Sequence, residues 1–384
     1  MLDPARLREH YASFVRPGRV LLTGHSHQAW PDAAREGLLQ SFTDAADDVD
    51  EKWGKAFAAA DAVRGAVAER LGASAAEIAL GASTHDLLLR FLSALDLARR
   101  PHLVTTRGEF HSITRQLERL AEHGAIEVTW VDPHPVASVA ERLAAALRPT
   151  TAAVLVSTVL FETSTVVPHL AELAARARSA GVEVLFDVYH AFSALPFGLA
   201  SLGAADAFVV GGGYKYAQWG EGVCFLRVPP RPEPWRPVVT GWFAGFGELA
   251  ARVAGQVQYA REGKDAFAGA TYDPASHYRA RAVVDFMARE GMTVPALREL
   301  SLAQTRRILD GLGGFDVATP AADGERGGFV SVRLPRAGEV VAALRERGVF
   351  TDSRGELLRL GPAPYVTFDE IDRALAELRA VARP

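Results

Sequence analysis

Apolar and polar positions alternate with two periods along the middle of the chain, and together they predict an α/β fold. Short apolar runs bounded by polar residues or glycine are typical of strands buried in a parallel sheet. Apolar residues three and four positions apart indicate amphipathic helices between them. Alternating strands and helices indicate βαβ units and a mostly parallel sheet covered by helices. The predicted strands are 102–106, 126–131, 152–157, 182–187, 207–211 and 222–228, and the predicted helices between them are 111–123, 138–147 and 168–180.

Outside this alternating region the pattern changes and indicates the domain organisation. Residues 1–30 contain a short helical run and an extended run, and we expect this segment to pack near the active site or against a smaller domain. The large domain then covers residues 31–274. A smaller α+β domain follows over 275–384, where long helices precede separated strand-like runs. The further predicted helices are 32–46, 54–71, 87–97, 248–261, 275–290, 295–312, 338–347 and 368–381, and the further predicted strands are 328–334 and 357–360.

Two polar residues stand at the ends of apolar runs in the alternating region. Asp187 ends the run 182–187, and Lys215 follows the glycines after the run 207–211. Ligands of an open α/β sheet bind outside the carboxyl ends of its strands, so we expect the two side chains to meet at a site. A carboxylate facing a pyridinium nitrogen and an imine-forming lysine are what pyridoxal 5'-phosphate (PLP) needs from a protein. On spacing alone, two solvated side chains at strand ends are an equal alternative.

Hydroxyl-bearing residues precede the predicted helix 87–97. Ser83 and Thr84 stand near its start, where free backbone N–H groups and the positive end of the helix dipole suit a phosphate. The alternative is simple capping of the helix by one of these side chains. From these residues alone, capping is favoured.

Composition narrows the class of protein. The 384 residues are 49% hydrophobic and 23% charged with a net charge of −4, which gives no support for nucleic acid or an anionic membrane as a partner. The single cysteine, Cys224, lies in an apolar run and excludes an intramolecular disulfide and a multi-cysteine metal site. The N-terminus has no signal-peptide core, and no apolar run reaches the length of a membrane span. We expect a cytoplasmic protein with a small-molecule ligand and no metal.

Several motifs, in one order along nearly the whole chain, resemble those of a known family. Phe186-Asp187-Val188-Tyr189-His190-Ala191 resembles the family's Phe-Asp-Leu-Ala-His-Ala, and Gly213-Tyr214-Lys215-Tyr216 resembles its Ser-Tyr-Lys-Tyr. Further matches are Thr23-Gly24-His25-Ser26, Glu109-Phe110-His111-Ser112, Gly241-Trp242-Phe243, Glu325-Arg326-Gly327-Gly328 and the segment 358–364 around Arg359. On these motifs the chain resembles the aminotransferase class V group of fold-type I PLP-dependent enzymes, and within it the kynureninase family.

The resemblance implies roles for four residues around the cofactor ring. Lys215 would hold PLP as an imine and later move protons at the substrate's α carbon. Asp187 would keep the pyridine nitrogen protonated. Phe110 would stack on the ring, with ordinary core packing as its alternative. His190 would line the ring, and a structural, hydrogen-bonded histidine is an equal alternative.

The resemblance also implies a phosphate site and a second subunit. Ser83 and Thr84 become the expected phosphate cradle, which reverses the preference for simple capping. Tyr214 would reach the phosphate through its hydroxyl and relay protons during catalysis. Trp242 and Thr271 match positions that close the phosphate site from the neighbouring subunit, which implies a homodimer. For both residues the alternative is packing within their own loop.

At the substrate end, the resemblance assigns the α-carboxylate to Arg359, because a guanidinium offers two parallel donors to a carboxylate. His25 and Ser26, near the N-terminus, are the other expected substrate-binding residues. Surface ion pairing is the default for the arginines that could compete with Arg359. These are Arg326, Arg333 and Arg354.

The resemblance implies hydrolysis of the Cβ–Cγ bond of L-kynurenine or a related 3-acyl-alanine. Three positions depart from the family: Ile113 replaces an aspartate, Ala244-Gly245 replaces a histidine, and 272–275 replaces Asn-Pro-Pro. Several of these positions bear on the aromatic end of the substrate rather than on PLP, so a class V aminotransferase or an isopenicillin N epimerase-like enzyme is the alternative. A non-catalytic binder with the same fold is a third hypothesis. Cysteine desulfuration is disfavoured, because Cys224 lies in a predicted core strand.

Overall fold

The computed structural model describes residues 2–251 and 255–382, in which helices surround one large and two small sheets. The α-helices are α1 (Pro4–Arg8), α2 (Ala33–Asp48), α3 (Trp53–Leu71), α4 (Thr84–Ser93), α5 (His111–Glu122), α6 (Val139–Ala145), α7 (Leu170–Ser179), α8 (Gly263–Ala266), α9 (Ala275–Arg289), α10 (Val294–Gly311), α11 (Ala337–Glu346) and α12 (Phe368–Val381). The strands are β1 (Val20–Leu21), β2 (Ile78–Gly81), β3 (His102–Thr106), β4 (Glu127–Val131), β5 (Thr151–Ser157), β6 (Glu183–Asp187), β7 (Phe208–Gly212), β8 (Cys224–Arg227), β9 (Asp316–Val317), β10 (Val330–Arg333), β11 (Val349–Phe350), β12 (Asp352–Arg354) and β13 (Leu357–Leu360).

The large sheet has seven strands in the order β2-β8-β7-β6-β5-β3-β4. The pairs from β7 through β4 are parallel, and β8 runs antiparallel to both of its neighbours. The predicted mostly parallel sheet is therefore confirmed. The register places Ser157, the last residue of β5, opposite Asp187, the last residue of β6. Both side chains consequently leave the sheet at its carboxyl edge, where ligands of such sheets bind.

Both faces of this sheet are buried, which explains why its strands are continuous apolar runs. Successive residues of a strand point to opposite faces. In β6, Val184 and Phe186 join one hydrophobic cluster, whereas Leu185 joins another on the opposite face. The sheet is thus the middle layer between two apolar layers. Its carboxyl edge is the place where polar side chains collect.

A second sheet is antiparallel, with the order β12-β13-β10-β9, and it is built from the C-terminal part of the chain. Arg359 on β13 lies opposite both Ser331 on β10 and Asp352 on β12. The N-terminal segment joins this region, because β1 pairs in parallel with β11 and Thr23 forms a bridge to Gly361. Residues near both termini therefore meet beside Arg359.

The predicted helix 248–261 is wrong. A 3₁₀ helix spans Trp242–Ala251, with Gly245 in a non-helical conformation (φ −136°, ψ 32°), and residues 255–260 form no helix. Part of that prediction falls on residues 252–254, which lie outside the described residues. Three glycines, at 245, 247 and 255, explain the failure, because glycine disfavours helix and Gly255 adopts a φ of +77°.

Other differences concern boundaries and very short strands. The predicted helix 87–97 begins earlier, at Thr84, and ends at Ser93. Strands β2, β9, β11 and β12 were not predicted, since two to four residues are too few to show a period. Within the described ranges, no helix is both long and apolar enough to cross a bilayer.

Candidate active site

Asp187 and Lys215 lie at the carboxyl edge of the large sheet and line one cavity of about 270 Å³, which we call the Lys215 cavity. Asp187 ends β6, and Lys215 stands in the turn that follows β7, the neighbouring strand. Both side chains are at least 94% buried, with exposures of 6% and 5%. Other expected cofactor residues line the same cavity. They are Ser83, Thr84, Phe110, His190 and Tyr214.

Lys215 is held by a histidine and surrounded by aromatic rings. Its Nζ lies 2.7 Å from His190 Nε2 and 4.7 Å from the centre of the Tyr189 ring. The rings of Phe110 and Tyr214 are 5.5 and 5.8 Å away. Burial lowers the pKa of Lys215 to about 7, against the opposing charge of Asp187. A lysine that loses its proton near neutral pH can act as a nucleophile or a base.

His190 is neutral at neutral pH, because burial and the charge of Lys215 lower its pKa well below the usual value. Its Nε2 faces Lys215, and its Nδ1 has no hydrogen-bond partner among the described residues. A neutral ring carries one N–H and one acceptor nitrogen. His190 therefore accepts a hydrogen bond at Nε2 whenever Lys215 donates one. The histidine adds no charge to the cavity.

Asp187 presents its carboxylate from the floor of the cavity. Its Oδ1 accepts a hydrogen bond of 2.8 Å from the backbone N–H of Tyr189. Burial raises the pKa of Asp187, whereas this hydrogen bond and the charge of Lys215 lower it. A cationic group that entered the cavity would favour the ionised carboxylate further.

The glycines before Lys215 are required by close packing. A Cβ at Gly212 would lie 2.0 Å from the Tyr189 hydroxyl oxygen, and one at Gly213 would lie 2.4 Å from the Trp219 ring. Tyr189 is a cavity residue for which the sequence suggested no role. The run of glycines was a signal that something large packs against the turn.

Ser83 caps α4, as the simpler alternative proposed, and it also lines the Lys215 cavity. Its Oγ accepts a hydrogen bond of 3.1 Å from the N–H of Asp86. Capping satisfies one of the first N–H groups of the helix, and the others in the first turn have no partner within the helix. Thr84 donates its hydroxyl hydrogen to Cys224 Sγ at 3.7 Å. The two explanations for Ser83 are therefore compatible with each other.

Arg359 is 2% exposed and is oriented by three hydrogen bonds. Its Nε and Nη2 donate to the two carboxylate oxygens of Asp352 at 2.8 and 2.6 Å, and Nη1 donates to the Phe161 carbonyl at 2.8 Å. A guanidinium has five N–H donors, so two remain for another acceptor. The charge of Arg359 lowers the pKa of Lys215, but Arg359 itself is not among the residues that line the Lys215 cavity, whereas its partner Phe161 is.

His25 supports Asp352 from the other side. Its Nε2 lies 2.8 Å from Asp352 Oδ1, and its ring stacks on Phe329 at 4.5 Å between centroids. Burial lowers the pKa of His25 to about 4, so the neutral ring donates to the carboxylate through Nε2–H. The neighbours of Asp352 hold its own pKa well below the usual range. His25 is fully buried, and it lies behind Arg359 rather than in the Lys215 cavity.

Besides His25 and Arg359, three further sequence-predicted residues do not line the Lys215 cavity. The Ser26 hydroxyl donates to the Thr23 carbonyl at 3.2 Å, and Ser26 does not line the Lys215 cavity. Thr271 lines a neighbouring cavity of about 800 Å³, the Thr271 cavity, which shares Ala82, Glu221 and Gly222 with the first. Trp242 is 45% exposed and lines neither cavity. Among the competing arginines, Arg326 bonds to the Ala321 carbonyl and the Thr305 hydroxyl, away from the site.

Sequence reasoning missed Glu109, Ser157 and Asp352. Glu109 is 2% exposed, and its carboxylate accepts hydrogen bonds of 2.5 Å from both Thr106 and Ser157. Ser157 lines the Lys215 cavity. Glu109 is the first residue of the family-like motif that contains Phe110, and Asp352 stands seven residues before Arg359. Neither position showed a pattern that distinguished it from a surface carboxylate.

Comparison with known proteins gives matches over the whole chain. The family model described as the kynureninase C-terminal domain matches residues 296–378. A kynureninase from Deinococcus radiodurans is 28% identical over 410 aligned positions, covering 99% of this chain and 93% of the relative. A kynureninase from Burkholderia pseudomallei (strain 1106a) is 27% identical, covering 99% of this chain and 92% of the relative.

Solved structures share the fold. A C-DES mutant with glycine covalently linked to its PLP cofactor has a TM-score of 0.84 at 18% identity, covering 98% of this chain and 99% of the other. An apo cysteine desulfurase from Thermococcus onnurineus NA1 has a TM-score of 0.82 at 17% identity, covering 99% and 98%. At such identities the likeness establishes the fold alone.

The large sheet and the smaller C-terminal sheet give the chain the fold of the class V group of fold-type I PLP-dependent enzymes. The resemblance to kynureninases expected from the motifs is confirmed by the family model and by the two relatives.

Proposed function

We propose that this chain is a PLP-dependent enzyme that hydrolyses the Cβ–Cγ bond of L-kynurenine or a related 3-acyl-alanine. The observation that carries the proposal is that Lys215 and Asp187 line one buried cavity, while the charge of the buried Arg359 lowers the pKa of Lys215. Similarity to kynureninases over 99% of the chain supports the choice of reaction.

The residues of the Lys215 cavity fit PLP. An amine faces the cavity at one strand end, a carboxylate faces it from the adjacent strand, and an aromatic ring, Phe110, lies 5.5 Å from the amine. The N-terminus of α4 with Ser83 and Thr84 offers hydroxyls and backbone N–H groups to a phosphate. PLP would supply an electron sink for negative charge at the α carbon.

Lys215 has the role of holding the cofactor and moving protons. A pKa of about 7 lets the amine exist in both protonation states at neutral pH, which suits a general acid–base group. His190 keeps the amine aimed through the Nζ to Nε2 contact, and Tyr214 places a second polar group beside it in the cavity. Asp187 would balance positive charge on the bound cofactor ring.

Arg359 binds the α-carboxylate of the substrate. Two N–H donors remain after those taken by Asp352 and Phe161, and a carboxylate accepts two parallel hydrogen bonds. Because Asp352 and the Phe161 carbonyl fix the guanidinium plane, little side-chain entropy is lost when the carboxylate binds. His25 takes part by holding Asp352. Ser26 supports the same segment through its hydrogen bond to Thr23.

The substrate's acyl end is the part that distinguishes kynureninase chemistry from another class V reaction. Ile113, at the position of a family aspartate, is 1% exposed and packs in an apolar cluster. The acyl group therefore meets no carboxylate from this position. This favours an aminotransferase or an epimerase-like reaction as the second candidate. Desulfuration is a weaker candidate, since Cys224 is 5% exposed and held by Thr84 and Tyr189.

The working assembly in this proposal is a homodimer. Among the described residues, large apolar side chains are exposed between Val238 and Phe246, with Val238 at 83%, Phe246 at 53% and Trp242 at 45% exposure. Such a patch on a protein surface marks an interaction site. Phe246 also lines the Thr271 cavity, which opens beside the Lys215 cavity. A partner subunit seated there would bring its own Trp242 and Thr271 towards the phosphate end.

The test of the reaction is incubation of PLP-saturated protein with L-kynurenine and with 3-hydroxykynurenine. We expect the fluorescence of the anthranilate product and an equal amount of alanine, and none of either from a Lys215→Ala variant. Conversion of the amino acid to an oxo acid without anthranilate would establish the aminotransferase candidate instead. Absence of product from both substrates would exclude kynurenines as the substrates of the proposed hydrolase. Sedimentation velocity tests the dimer, which a monomer at working concentration would contradict.

A further inference from the structure

A second buried carboxyl group lies behind the cavity floor. Glu109 follows β3 and precedes α5, and it is 2% exposed. Its Oε1 accepts the hydroxyl hydrogen of Thr106 and its Oε2 that of Ser157, each at 2.5 Å. An isolated carboxylate is not buried without compensation, so this site is a built one. Burying the Glu109 carboxylate costs desolvation free energy, and side-chain packing alone does not explain why a carboxylate stands here.

The order of the strands places this carboxyl group beside Asp187. Along the carboxyl edge, β6 ends in Asp187, β5 ends in Ser157 and β3 ends in Thr106. Ser157 therefore stands between the two carboxyl groups and also lines the Lys215 cavity. The negative charge of Asp187 reaches Glu109 and contributes to its raised pKa, so the two groups interact.

The Ser157 hydroxyl can serve only one acceptor with its hydrogen. When Glu109 is ionised it accepts that hydrogen, and the oxygen of Ser157 presents only lone pairs to the cavity. When Glu109 carries a proton it can donate to Ser157, and the serine hydrogen becomes free to point into the cavity. The protonation of Glu109 thus decides whether the cavity floor accepts or donates a hydrogen bond at this point.

We propose that Glu109 is a positioning residue that acts through Ser157 and Asp187 to favour a cationic ring at the floor of the Lys215 cavity. The inference rests on the proposed PLP cofactor. Ionised Glu109 adds a second negative charge beside that of Asp187 and fixes Ser157 as an acceptor, and both would favour a cationic ring in the cavity. Protonated Glu109 does neither.

The surroundings of Glu109 set the pH range of the effect. Burial is the main cause that raises its pKa, to about 7, and Asp187 on β6 adds to this. The hydroxyls of Ser157 on β5 and Thr106 on β3 lower it. Lys215, in the turn after β7, faces Asp187 and favours the ionised form of that neighbour. A cationic ring beside Asp187 would lower the pKa of Glu109.

The test measures the dissociation constant of PLP from pH 6 to pH 8.5 for the wild type and for Glu109→Gln. Below the pKa of Glu109 in the PLP complex, residue 109 is neutral in both the wild type and the variant, and the two dissociation constants differ by a fixed factor. Above it, only the wild type gains a charge, so its relative affinity rises by about tenfold for each unit by which PLP lowers the Glu109 pKa. Glu183→Gln is the matched control, because Glu183 starts the strand that Asp187 ends.

The two profiles distinguish the inference from a purely structural role. Parallel profiles for wild type and Glu109→Gln would overturn the inference and leave the proposed function intact. A wild type that binds no PLP, judged by the visible absorption of lysine-bound cofactor, would overturn both. If Glu109→Gln does not fold, Ser157→Ala serves instead. It removes a hydrogen bond that lowers the Glu109 pKa, so the rise in PLP affinity must move to higher pH; an unmoved profile would refute the proposal.

Discussion

In the proposed site, the cofactor end around Lys215 and the substrate end around Arg359 are built in opposite ways. At the cofactor end, Asp187 and Lys215 come from adjacent strands of one sheet, and their separation in sequence is short. At the substrate end, Arg359 is held by Asp352 from a neighbouring short strand, by the Phe161 carbonyl and indirectly by His25. The geometry of the cofactor end follows from two neighbouring strands of one sheet, whereas the substrate end brings together segments that are distant in sequence.

The two ends also manage charge differently. At the cofactor end, burial lowers the pKa of Lys215 and raises the pKa of Asp187, which favours the neutral form of each side chain. At the substrate end, Asp352 and Arg359 are paired through two hydrogen bonds, and the pKa of Asp352 is strongly lowered. Lys215, which is expected to change its protonation state, contacts a neutral histidine. Arg359, which is expected to keep its charge, is paired with the carboxylate of Asp352.

The largest expected effect is at the cofactor end. Lys215→Ala removes both the attachment point and the proton-transferring amine, so we expect activity to fall by about 10³-fold or more. The visible absorption of lysine-bound PLP should disappear as well. Lys55→Ala, a change of a half-exposed lysine paired with Asp44 and Asp48, is the control. Full activity in Lys215→Ala would break the catalytic assignment.

Arg359→Lys tests the substrate end, where a rigid two-donor fork becomes a single ammonium. We expect kcat/KM to fall by about 10²-fold, mostly through KM, because charge-assisted hydrogen bonds to the carboxylate are lost. The absorption of bound PLP should stay unchanged. Arg354→Lys is the matched comparison, since Arg354 also acts on Lys215. A larger loss in Arg354→Lys would move the carboxylate site to that arginine.

His25 links the substrate end to stability. Its pKa of about 4 in the folded protein lies below the value near 6.5 expected when unfolded. The unfolded chain therefore binds more protons between these values, and stability falls as pH drops through that window. Between pH 7 and pH 5 we expect about 2 kcal/mol of such loss from this group. Urea unfolding of His25→Gln at both pH values should show a correspondingly flatter dependence, and an equal slope would contradict the buried neutral ring.

The smallest expected effect concerns the orientation of Arg359. Asp352→Asn keeps the shape but loses the charged partner, so we expect KM to rise by about tenfold with kcat little changed. Asp316→Asn, in the exposed pair with Arg333, is the control and should leave KM unaltered. If kcat falls and KM does not move, Asp352 acts on the chemical step rather than on the guanidinium.

The sequence allowed most of the cofactor end to be predicted. Strands that are buried on both faces appear as apolar runs, so the residues that end them, such as Asp187, can be located directly. The helix that begins at Thr84 was recognisable from its hydroxyl residues and the apolar stretch that follows. The motifs then assigned Phe110, His190 and Tyr214, and all three line the Lys215 cavity. Their individual roles stay predictions.

The substrate end could not be predicted to the same depth. Asp352 lies on a strand of three residues, too short for a period, and its partners are distant in sequence. The pairing of the N-terminal segment with β11 depends on backbone hydrogen bonds that carry no side-chain signal. Glu109 was visible as part of a motif, but its burial depends on Thr106 and Ser157 from two other strands. Long-range pairing is the information that a single sequence lacks.

Phe329 gives the two ends a common boundary. Its fully buried ring stacks on His25 at 4.5 Å and lies 5.5 Å from the His190 ring, between centroids. One buried, uncharged imidazole lies on each side of the Phe329 ring, so charges near this boundary are weakly screened from each other. The charge of Arg359 lowers the pKa of Lys215. In the proposed site, a substrate carboxylate that pairs with Arg359 would therefore raise the pKa of Lys215 without contacting it.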